Sequence, residues 1–251
     1  MKQPYLSVII PAYNELDNFR RGALDKVWEY LEGRSYLWEV IIVDDGSTDG
    51  SVKQISKFCQ EKKGFKLMEN PHMGKAGTVA TGVKAAQGKY ILFTDFDQAT
   101  PLSEFEKLRP YLENGYEVAI GSREVAGARR EDEPFYRHLM GRGFNFGVRL
   151  LTVRGIADTQ CGFKAFEGKV AKELFSKLQV YKPTRERAAF VGAFDVELLF
   201  IARKLGYRIA EVPVHWQHVA TTRINPVKDS IRMALDVIKI RLYFFLGRYG
   251  K

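Results

Sequence analysis

The sequence contains very little cysteine, since Cys59 and Cys161 are the only two in 251 residues. Their separation does not match the ligand spacing of a zinc site, and two cysteines do not make the disulfide framework of a small secreted protein. A predicted strand also begins within a few residues of Met1, which leaves no room for a signal peptide. These features predict a cytoplasmic protein.

Long apolar runs are absent as well. No stretch approaches the roughly 18–20 consecutive apolar residues that a transmembrane helix needs. Lys and Arg number 39 against 30 Asp and Glu, which gives a formal net charge of +9 at neutral pH. Nucleic acid, phosphorylated small molecules and anionic lipid headgroups are all suitable partners for such a chain. The composition predicts a soluble or peripheral membrane protein with an anionic partner.

Two common nucleotide-binding fingerprints are missing. The segment 70–78 has a glycine-flanked lysine, Lys75, before a predicted helix, but a P-loop would need glycine where the chain has Glu69. No glycine-rich dinucleotide fingerprint follows the first predicted strand, which argues against a Rossmann dehydrogenase. Lys75 can still meet a phosphate at the helix N-terminus.

The first half of the chain alternates short apolar runs with amphipathic segments, which is the pattern of a parallel α/β sheet. The predicted strands of this half are 6–10, 39–43, 65–68 and 90–94. The predicted helices are 14–33, 49–62 and 78–87, the last with Gly88 as its C-cap. Further along, the pattern predicts a helix at 195–205, a strand at 208–214 and a final helix at 229–246. We expect an α/β fold with a mostly parallel sheet flanked by helices, in a single domain.

Polar residues follow several predicted strands, in the segments 11–15, 44–47, 70–77 and 95–97. Because the carboxyl ends of parallel strands share one edge of a sheet, we expect these segments to form a ligand site. Asp95 and Asp97 supply the carboxylate oxygens that Mg²⁺ or Mn²⁺ prefers, often together with substrate phosphates. The alternative is that one of them caps a helix beginning near Pro101, but that does not account for both acids.

The segments 7–15, 43–50, 74–77 and 95–97 resemble the inverting family 2 glycosyltransferases of the GT-A fold. The resemblance implies a nucleotide-sugar donor and a metal, Mg²⁺ or Mn²⁺, bound by Asp95 and Asp97. The candidate donor-binding residues are Pro11, Tyr13, Glu15, Asp44, Lys75, Asp95 and Arg223. The candidate catalytic residues are Asp97, Arg123 and Asp195. We expect residues 1–125 to form the donor half of the domain.

The second half resembles the polyprenyl-phosphate sugar synthases in the segments 121–123, 143–145, 158–164, 194–197 and 211–216. Segment 158–164 is most similar to the dolichyl-phosphate glucosyltransferases, and Ala99 stands where many mannosyl relatives have glutamine. The resemblance implies inverting transfer of glucose from UDP-glucose to a dolichyl or undecaprenyl phosphate. The alternatives are a polyprenyl-phosphate mannose synthase that uses GDP-mannose, and a family 2 transferase with a saccharide acceptor.

A phosphate acceptor needs cations more than it needs a base. A phosphate monoester has a second pKa of about 6, so it is mostly a dianion at neutral pH. We expect Arg123, and then Arg137 or Arg142 of the acceptor half, 126–226, to hold the phosphate, because guanidinium groups bind phosphate in a bidentate manner. The alternative for Arg123 is a structural salt bridge. Asp195 would act as a base only for a sugar hydroxyl acceptor, and otherwise orients the arginines or the donor sugar.

The C-terminal segment 227–251 has the pattern of an amphipathic helix. Its apolar residues Ile231, Leu235, Ile238, Leu242 and Phe245 repeat at helical spacing, and basic residues occupy another face. Such a helix, like the basic stretch 129–151, can lie on the cytoplasmic face of a membrane as a peripheral contact. The alternative is a stripe that faces the core. Nucleic acid is not an expected partner, because a nucleic-acid-binding module leaves Asp95 and Asp97 unexplained: the paired acids would repel phosphates unless a metal lay between them.

Overall fold

The computed structural model describes residues 2–131, 153, 155–182, 193–219 and 226–249, with only the backbone described for 226–230. A seven-stranded sheet forms the centre, in the spatial order β3-β2-β1-β4-β7-β5-β8. The strands are Leu6–Ala12 (β1), Trp38–Asp44 (β2), Phe65–Glu69 (β3), Tyr90–Phe93 (β4), Val118–Ser122 (β5), Lys164–Glu167 (β7) and Ile209–Pro213 (β8). Arg129–Glu131 (β6) and His215–Gln217 (β9) form a separate parallel pair.

Helices cover both faces of this sheet. They are Leu16–Arg20 (α1), Ala23–Glu32 (α2), Ser51–Glu61 (α3), Gly74–Ala85 (α4), Phe105–Glu113 (α5), Gly168–Ser176 (α6), Phe194–Lys204 (α7) and Pro226–Phe245 (α8). Alternate residues of β1 enter different cores, since Ile9 packs with the α4 side and Val8 with the α2 side. The predicted mostly parallel sheet flanked by helices is confirmed.

Strand β7 is the one antiparallel member of the central sheet. It pairs with β4 and with β5, whereas the other neighbouring strands are parallel. Its first residue, Lys164, lies opposite Phe93, the last residue of β4. The reversed direction therefore brings the chain that precedes β7 to the edge where the parallel strands end.

Two predicted helices differ from the observed ones. The predicted helix 14–33 is two helices, because Gly22 between them has a left-handed φ of +76°. Helix α4 begins at Gly74 and ends at Ala85, so Gly88 is not its C-cap. A Cβ on Gly88 would lie 2.6 Å from the Ser7 backbone nitrogen, so close backbone approach explains this glycine.

The predicted C-terminal helix is confirmed as α8. Val237 and Ile240 bury it against the core, while the stripe from Ile231 to Phe245 faces outward. The alternative of a core-facing stripe is therefore wrong. Among the described residues, no helix has the length and hydrophobicity to cross a membrane.

Candidate active site

The carboxyl ends of β1, β2 and β4 bring the predicted polar segments to one edge of the sheet. Ala12 lies opposite Asp44 in the parallel pairing of β1 with β2, and Lys164 of β7 lies opposite Phe93 of β4. Pro11 is paired with Val43 inside the sheet. The edge thus collects residues from the first half of the chain through parallel strand ends and from the second half through the reversed strand β7.

Asp44 ends β2 as a buried carboxylate that is only half satisfied. Its Oδ2 accepts hydrogen bonds from the backbone nitrogens of Gly46 and Ser47, both at 2.9 Å. Its Oδ1 is buried and accepts no hydrogen bond from the described part of the chain. A buried acceptor without a donor is costly, so Oδ1 is suited to a ligand N–H.

Asp45 was not among the predicted site residues, yet its side chain connects the end of β2 to the start of α4. Its carboxylate accepts hydrogen bonds from the backbone nitrogens of Met73 at 2.7 Å and Gly74 at 2.9 Å, which fixes the start of α4. The Nδ1 of His72 lies 2.9 Å from Asp45 Oδ2, and the His72 ring stacks on Tyr13 at 4.7 Å. The sequence signal for this residue was the pair of consecutive acids at the end of β2. Asp44 binds the loop that follows it, and Asp45 binds the start of α4.

The loop after β1 is fixed by side-chain to backbone hydrogen bonds. Asn14 has a left-handed φ of +52°, and its Oδ1 accepts a hydrogen bond from the Thr48 backbone nitrogen at 2.7 Å. The Asn14 backbone nitrogen donates to Ser47 Oγ at 2.8 Å. Glu15 accepts a hydrogen bond from Asn18 at 2.6 Å. These contacts hold Tyr13 and Glu15 beside the loop that follows Asp44.

Asp95 and Asp97 follow β4 and crowd negative charge at the edge. Burial raises the pKa of Asp97 to about 6, with a further contribution from Asp95. Lys75 Nζ lies 2.5 Å from Asp95 Oδ1. Burial lowers the pKa of Lys75, but the carboxylates of Asp95 and Asp195 outweigh burial and raise it. The cluster has more carboxylate charge than Lys75 alone offsets.

This donor set fits a hard divalent cation. Asp95 and Asp97 offer carboxylate oxygens, and no third His, Cys, Asp or Glu of the described residues completes a group of ligands. Mg²⁺ and Mn²⁺ commonly take the rest of their ligands from phosphate and water. The helix-cap alternative is wrong, because Asp97 Oδ1 accepts from Ala99 at 3.0 Å and no side chain caps the 3-10 turn Leu102–Glu104.

Lys164 and Asp195 form a second lysine–carboxylate pair behind the first. Lys164 Nζ lies 2.7 Å from Asp195 Oδ1, and the Cys161 carbonyl also accepts a hydrogen bond from it. Lys164 is fully buried, and Asp195, in the first turn of α7, has 4% of its surface exposed. The cation lies 5.6 Å from the centre of the Phe93 ring, at the end of β4. Asp195 therefore belongs to the site, held by a lysine that sequence reasoning did not single out.

Residues 7–175 match the sequence profile described as Glycosyl transferase family 2. The chain is 35% identical to "Dolichyl-phosphate beta-glucosyltransferase" of Dictyostelium discoideum, over 97% of this chain and 76% of the relative. It is 36% identical to the protein of that name from Homo sapiens, over 97% of this chain and 77% of the relative.

The chain belongs to glycosyl transferase family 2. The predicted family and the predicted enzyme class, a glycosyltransferase, are confirmed. The fold also matches a crystal structure of glucosyl-3-phosphoglycerate synthase from Mycobacterium tuberculosis in complex with Mn²⁺, UDP and glucosyl-3-phosphoglycerate. That match has a TM-score of 0.60 and 20% identity, and covers 98% of this chain and 80% of the other. The predicted GT-A fold is thereby confirmed.

Arg123 of this family 2 glycosyltransferase is held in a bidentate ion pair with Asp158. Its Nε and Nη2 lie 2.7 and 3.0 Å from the two carboxylate oxygens, and its backbone nitrogen donates to the same group at 3.0 Å. Asp158 is fully buried, and although burial opposes this, Arg123 lowers the pKa of Asp158 to about 2. The structural salt bridge considered for Arg123 is therefore present. The predicted residues Arg137, Arg142 and Arg223 lie outside the described residues.

Segment 158–164 connects this ion pair to the metal candidates. A Cβ on Gly162 would lie 2.1 Å from Asp95 Oδ2, so only glycine lets the segment pass this close to the carboxylate. The Trp216 ring is a further neighbour of Arg123, with its centre 5.4 Å from the guanidinium carbon. The transferase thus has Asp158, Gly162 and Lys164 on one short segment that contacts both halves of the site.

Proposed function

We propose that this family 2 glycosyltransferase transfers glucose from UDP-glucose, with inversion, to a polyprenyl phosphate. The observation that carries the proposal is the Asp95–Asp97 cluster with Lys75, which faces segment 158–164 of the other half. The relatives named dolichyl-phosphate beta-glucosyltransferases support the sugar, the acceptor and the inverted product, because they match nearly the whole chain. Residues 1–125 would bind the donor, and residues 126–226 would bind the acceptor.

The uridine would lie between the first two strand ends. The Tyr13 and His72 rings offer an aromatic surface, and the unsatisfied Oδ1 of Asp44 suits the N3–H group of uracil. Pro11 and Glu15 lie two residues before and two residues after Tyr13 in the chain. The arrangement supports a nucleoside with a ring N–H donor at its base edge.

The diphosphate would lie beside Lys75. Asp95 and Asp97 would hold Mg²⁺ or Mn²⁺, which neutralises charge on a diphosphate leaving group when bound. The crystal structure of the mycobacterial synthase contains Mn²⁺ together with UDP, which supports a divalent cation in this fold. Lys75, already held at Asp95, would place a second positive charge at the same phosphates. Arg223, also a predicted donor ligand, stays a proposal.

The acceptor phosphate would attack the anomeric carbon from the side opposite the diphosphate. A phosphate oxygen forms the new bond to that carbon as its bond to the diphosphate oxygen breaks, so inversion gives a β-glucosyl phosphate. No proton has to leave a dianionic nucleophile. Asp195, buried and paired with Lys164, suits orientation of the site better than proton transfer. This argues against the saccharide acceptor, which would need a base.

We propose that the acceptor-binding cations include Arg137 and Arg142. Arg123 has its Nε and Nη2 on Asp158, so it would act on the acceptor phosphate by shaping the pocket. Because a polyprenyl phosphate resides in a bilayer, the enzyme would work as a peripheral protein at a membrane. The scarcity of cysteine supports the cytoplasmic face.

A donor screen tests the proposal. UDP-glucose, UDP-galactose, UDP-GlcNAc and GDP-mannose would each be combined with Mg²⁺ or Mn²⁺ and a short, water-soluble polyprenyl phosphate. We expect transfer from UDP-glucose to exceed the others, with no transfer in chelator, and a β-linked product by NMR. Transfer from GDP-mannose alone would show a mannose synthase, and activity only with free sugars would overturn the lipid acceptor.

A further inference from the structure

Helix α8 is already fixed to the protein through one face. Val237 and Ile240 are buried, and Phe244 packs edge to face against Phe200 at 5.4 Å. Asp236 accepts a hydrogen bond from Tyr181 at 2.5 Å. This inner face accounts for the attachment of the helix, so its outer face is not needed to hold the fold together.

The outer face of α8 carries a continuous apolar stripe. The exposed fractions are 59% for Ile231, 53% for Leu235, 55% for Ile238, 51% for Leu242 and 72% for Phe245. The stripe residues alternate at spacings of four and three, so they share one side of the helix. Only two other large hydrophobic residues of the described chain, outside the α8 region, are comparably exposed, Leu37 and Tyr111. An apolar surface this long marks an interaction site.

The charges beside the stripe are basic. On the helical projection Lys239 and Arg232 border one side of the stripe, and Arg241 borders the other. The Lys239 side chain is about half exposed, and Arg241 lies 5.2 Å from the Phe245 ring. The nearby acid Asp236 accepts hydrogen bonds from Tyr181 at 2.5 Å and from Lys239 at 3.1 Å, and 13% of its side chain is exposed. An apolar centre with basic borders complements an anionic, apolar partner.

We propose that the outer face of α8 docks on the surface of an anionic phospholipid bilayer. The stripe would enter the boundary between headgroups and acyl chains, and the basic borders would contact the phosphates. A second copy of this chain fits less well, because antiparallel or parallel stripes would bring basic borders against each other.

The position of α8 connects this surface to the active site. Met233, on the inner part of the helix, receives a hydrogen bond from Gln160 Nε2 to its sulfur at 3.1 Å. Gln160 belongs to segment 158–164, whose Gly162 touches Asp95. Docking through the outer face would therefore hold the acceptor side of the site close to the bilayer. This role rests on the proposed function, whereas the docking itself does not.

The test is flotation of the whole protein with vesicles that contain neither donor nor acceptor. We expect the native chain to float with phosphatidylcholine vesicles that contain phosphatidylglycerol, and far less with phosphatidylcholine alone. Leu235→Ser with Leu242→Ser should lower the partition coefficient on the order of tenfold or more, because it removes apolar area from the bilayer contact. Leu37→Ser is the matched control, since Leu37 and Leu235 are both 53% exposed.

Thermal unfolding and transfer to the short soluble acceptor complete the design. The substituted leucines are exposed, so the variants should keep the native midpoint and native transfer without vesicles. If the double variant unfolds, the flotation of the single variant Leu235→Ser is compared with that of Leu37→Ser instead. Equal flotation of variant and control, or a native dimer that the variant converts to monomer, would overturn the proposal. If the native protein floats with the vesicles but transfers no glucose to the soluble acceptor, the docking proposal stands and the proposed function is contradicted.

Discussion

The site contains two lysine–aspartate pairs of nearly the same length in different surroundings. Lys164 and Asp195 are 2.7 Å apart, with side-chain exposures of 0% and 6%. Lys75 and Asp95 are 2.5 Å apart, with exposures of 17% and 40%. The first pair is sealed under the sheet edge, and the second is open at the edge where the donor phosphates would lie.

The difference shows that one ion-pair chemistry can have two roles. A sealed pair cannot exchange partners without leaving a buried charge, so it fixes the geometry of the residues that hold it. An open pair can exchange partners at low cost, because water and ligands compete for each charge. We infer that Lys164 positions Asp195, whereas Lys75 neutralises Asp95 until a cation and phosphates arrive.

The largest effect is expected when the sealed pair loses its lysine, and removal of the lysine of the open pair is the comparison. Lys164→Ala should lower the free energy of unfolding by about 3–5 kcal/mol, because it leaves Asp195 buried and uncompensated. Lys75→Ala should lower it by less than about 1 kcal/mol, because Asp95 remains accessible to water. Urea unfolding of the metal-free proteins measures both. Equal losses would remove the distinction between the sealed and the open pair.

The second effect concerns the backbone that the open pair touches. Gly162→Ala would place a methyl group 2.1 Å from Asp95 Oδ2 and displace this carboxylate. We expect turnover to fall about 10²-fold, since small misplacement of a site group is this costly. Mn²⁺ affinity, measured by calorimetry, should fall as well. Gly33→Ala is the control, because its Cβ would meet nothing closer than 3.8 Å. Full activity of Gly162→Ala would contradict the placement of Asp95.

The smallest effect concerns the protonation of Asp97, which lies beside the open pair of Lys75 and Asp95. Burial and then Asp95 raise its pKa to about 6 from 3.8. Between these values the folded protein keeps a proton that the unfolded chain releases, so stability is lost as the pH rises through 6.

We therefore expect metal-free Asp97→Asn to exceed the native chain in unfolding free energy at pH 8, by about 1–3 kcal/mol. Near pH 4 the difference should be small, because Asp97 is then protonated. Saturating Mn²⁺ should reverse the order at pH 8 by stabilising only the native chain. Chemical denaturation measures both unfolding free energies. If the variant and the native chain differ by the same amount at pH 4 and at pH 8, the raised pKa of Asp97 is contradicted.

The donor edge, where β1, β2 and β4 end, could be predicted from the sequence because its signals are local. Asp44, Asp95 and Asp97 directly follow apolar runs, and parallel strands must end at a common edge. The same rule predicted that Lys75 lies at this edge, but it did not predict the ion pair of Lys75 with Asp95. Asp45 was missed because a strand end alone does not say which of two consecutive acids turns toward the neighbouring helix.

The rest depends on contacts that no local pattern encodes. Lys164 is a fully buried cation at the start of β7, and only the reversed direction of β7 places it beside Asp195. The stripe of α8 was visible in the sequence, but periodicity does not say which face of a helix meets the core. Here Val237 and Ile240 occupy the inner face instead.

The reversed strand β7 also has a consequence for how the enzyme folds. The β1–β4 pairing is itself long-range, and Lys164 must likewise find Phe93 across a long intervening segment. Closing so long a loop carries an entropic cost that is repaid only when the strand docks between β4 and β5. We therefore expect catalytic competence to emerge during refolding only when β7 docks, because this event brings Lys164 to Asp195.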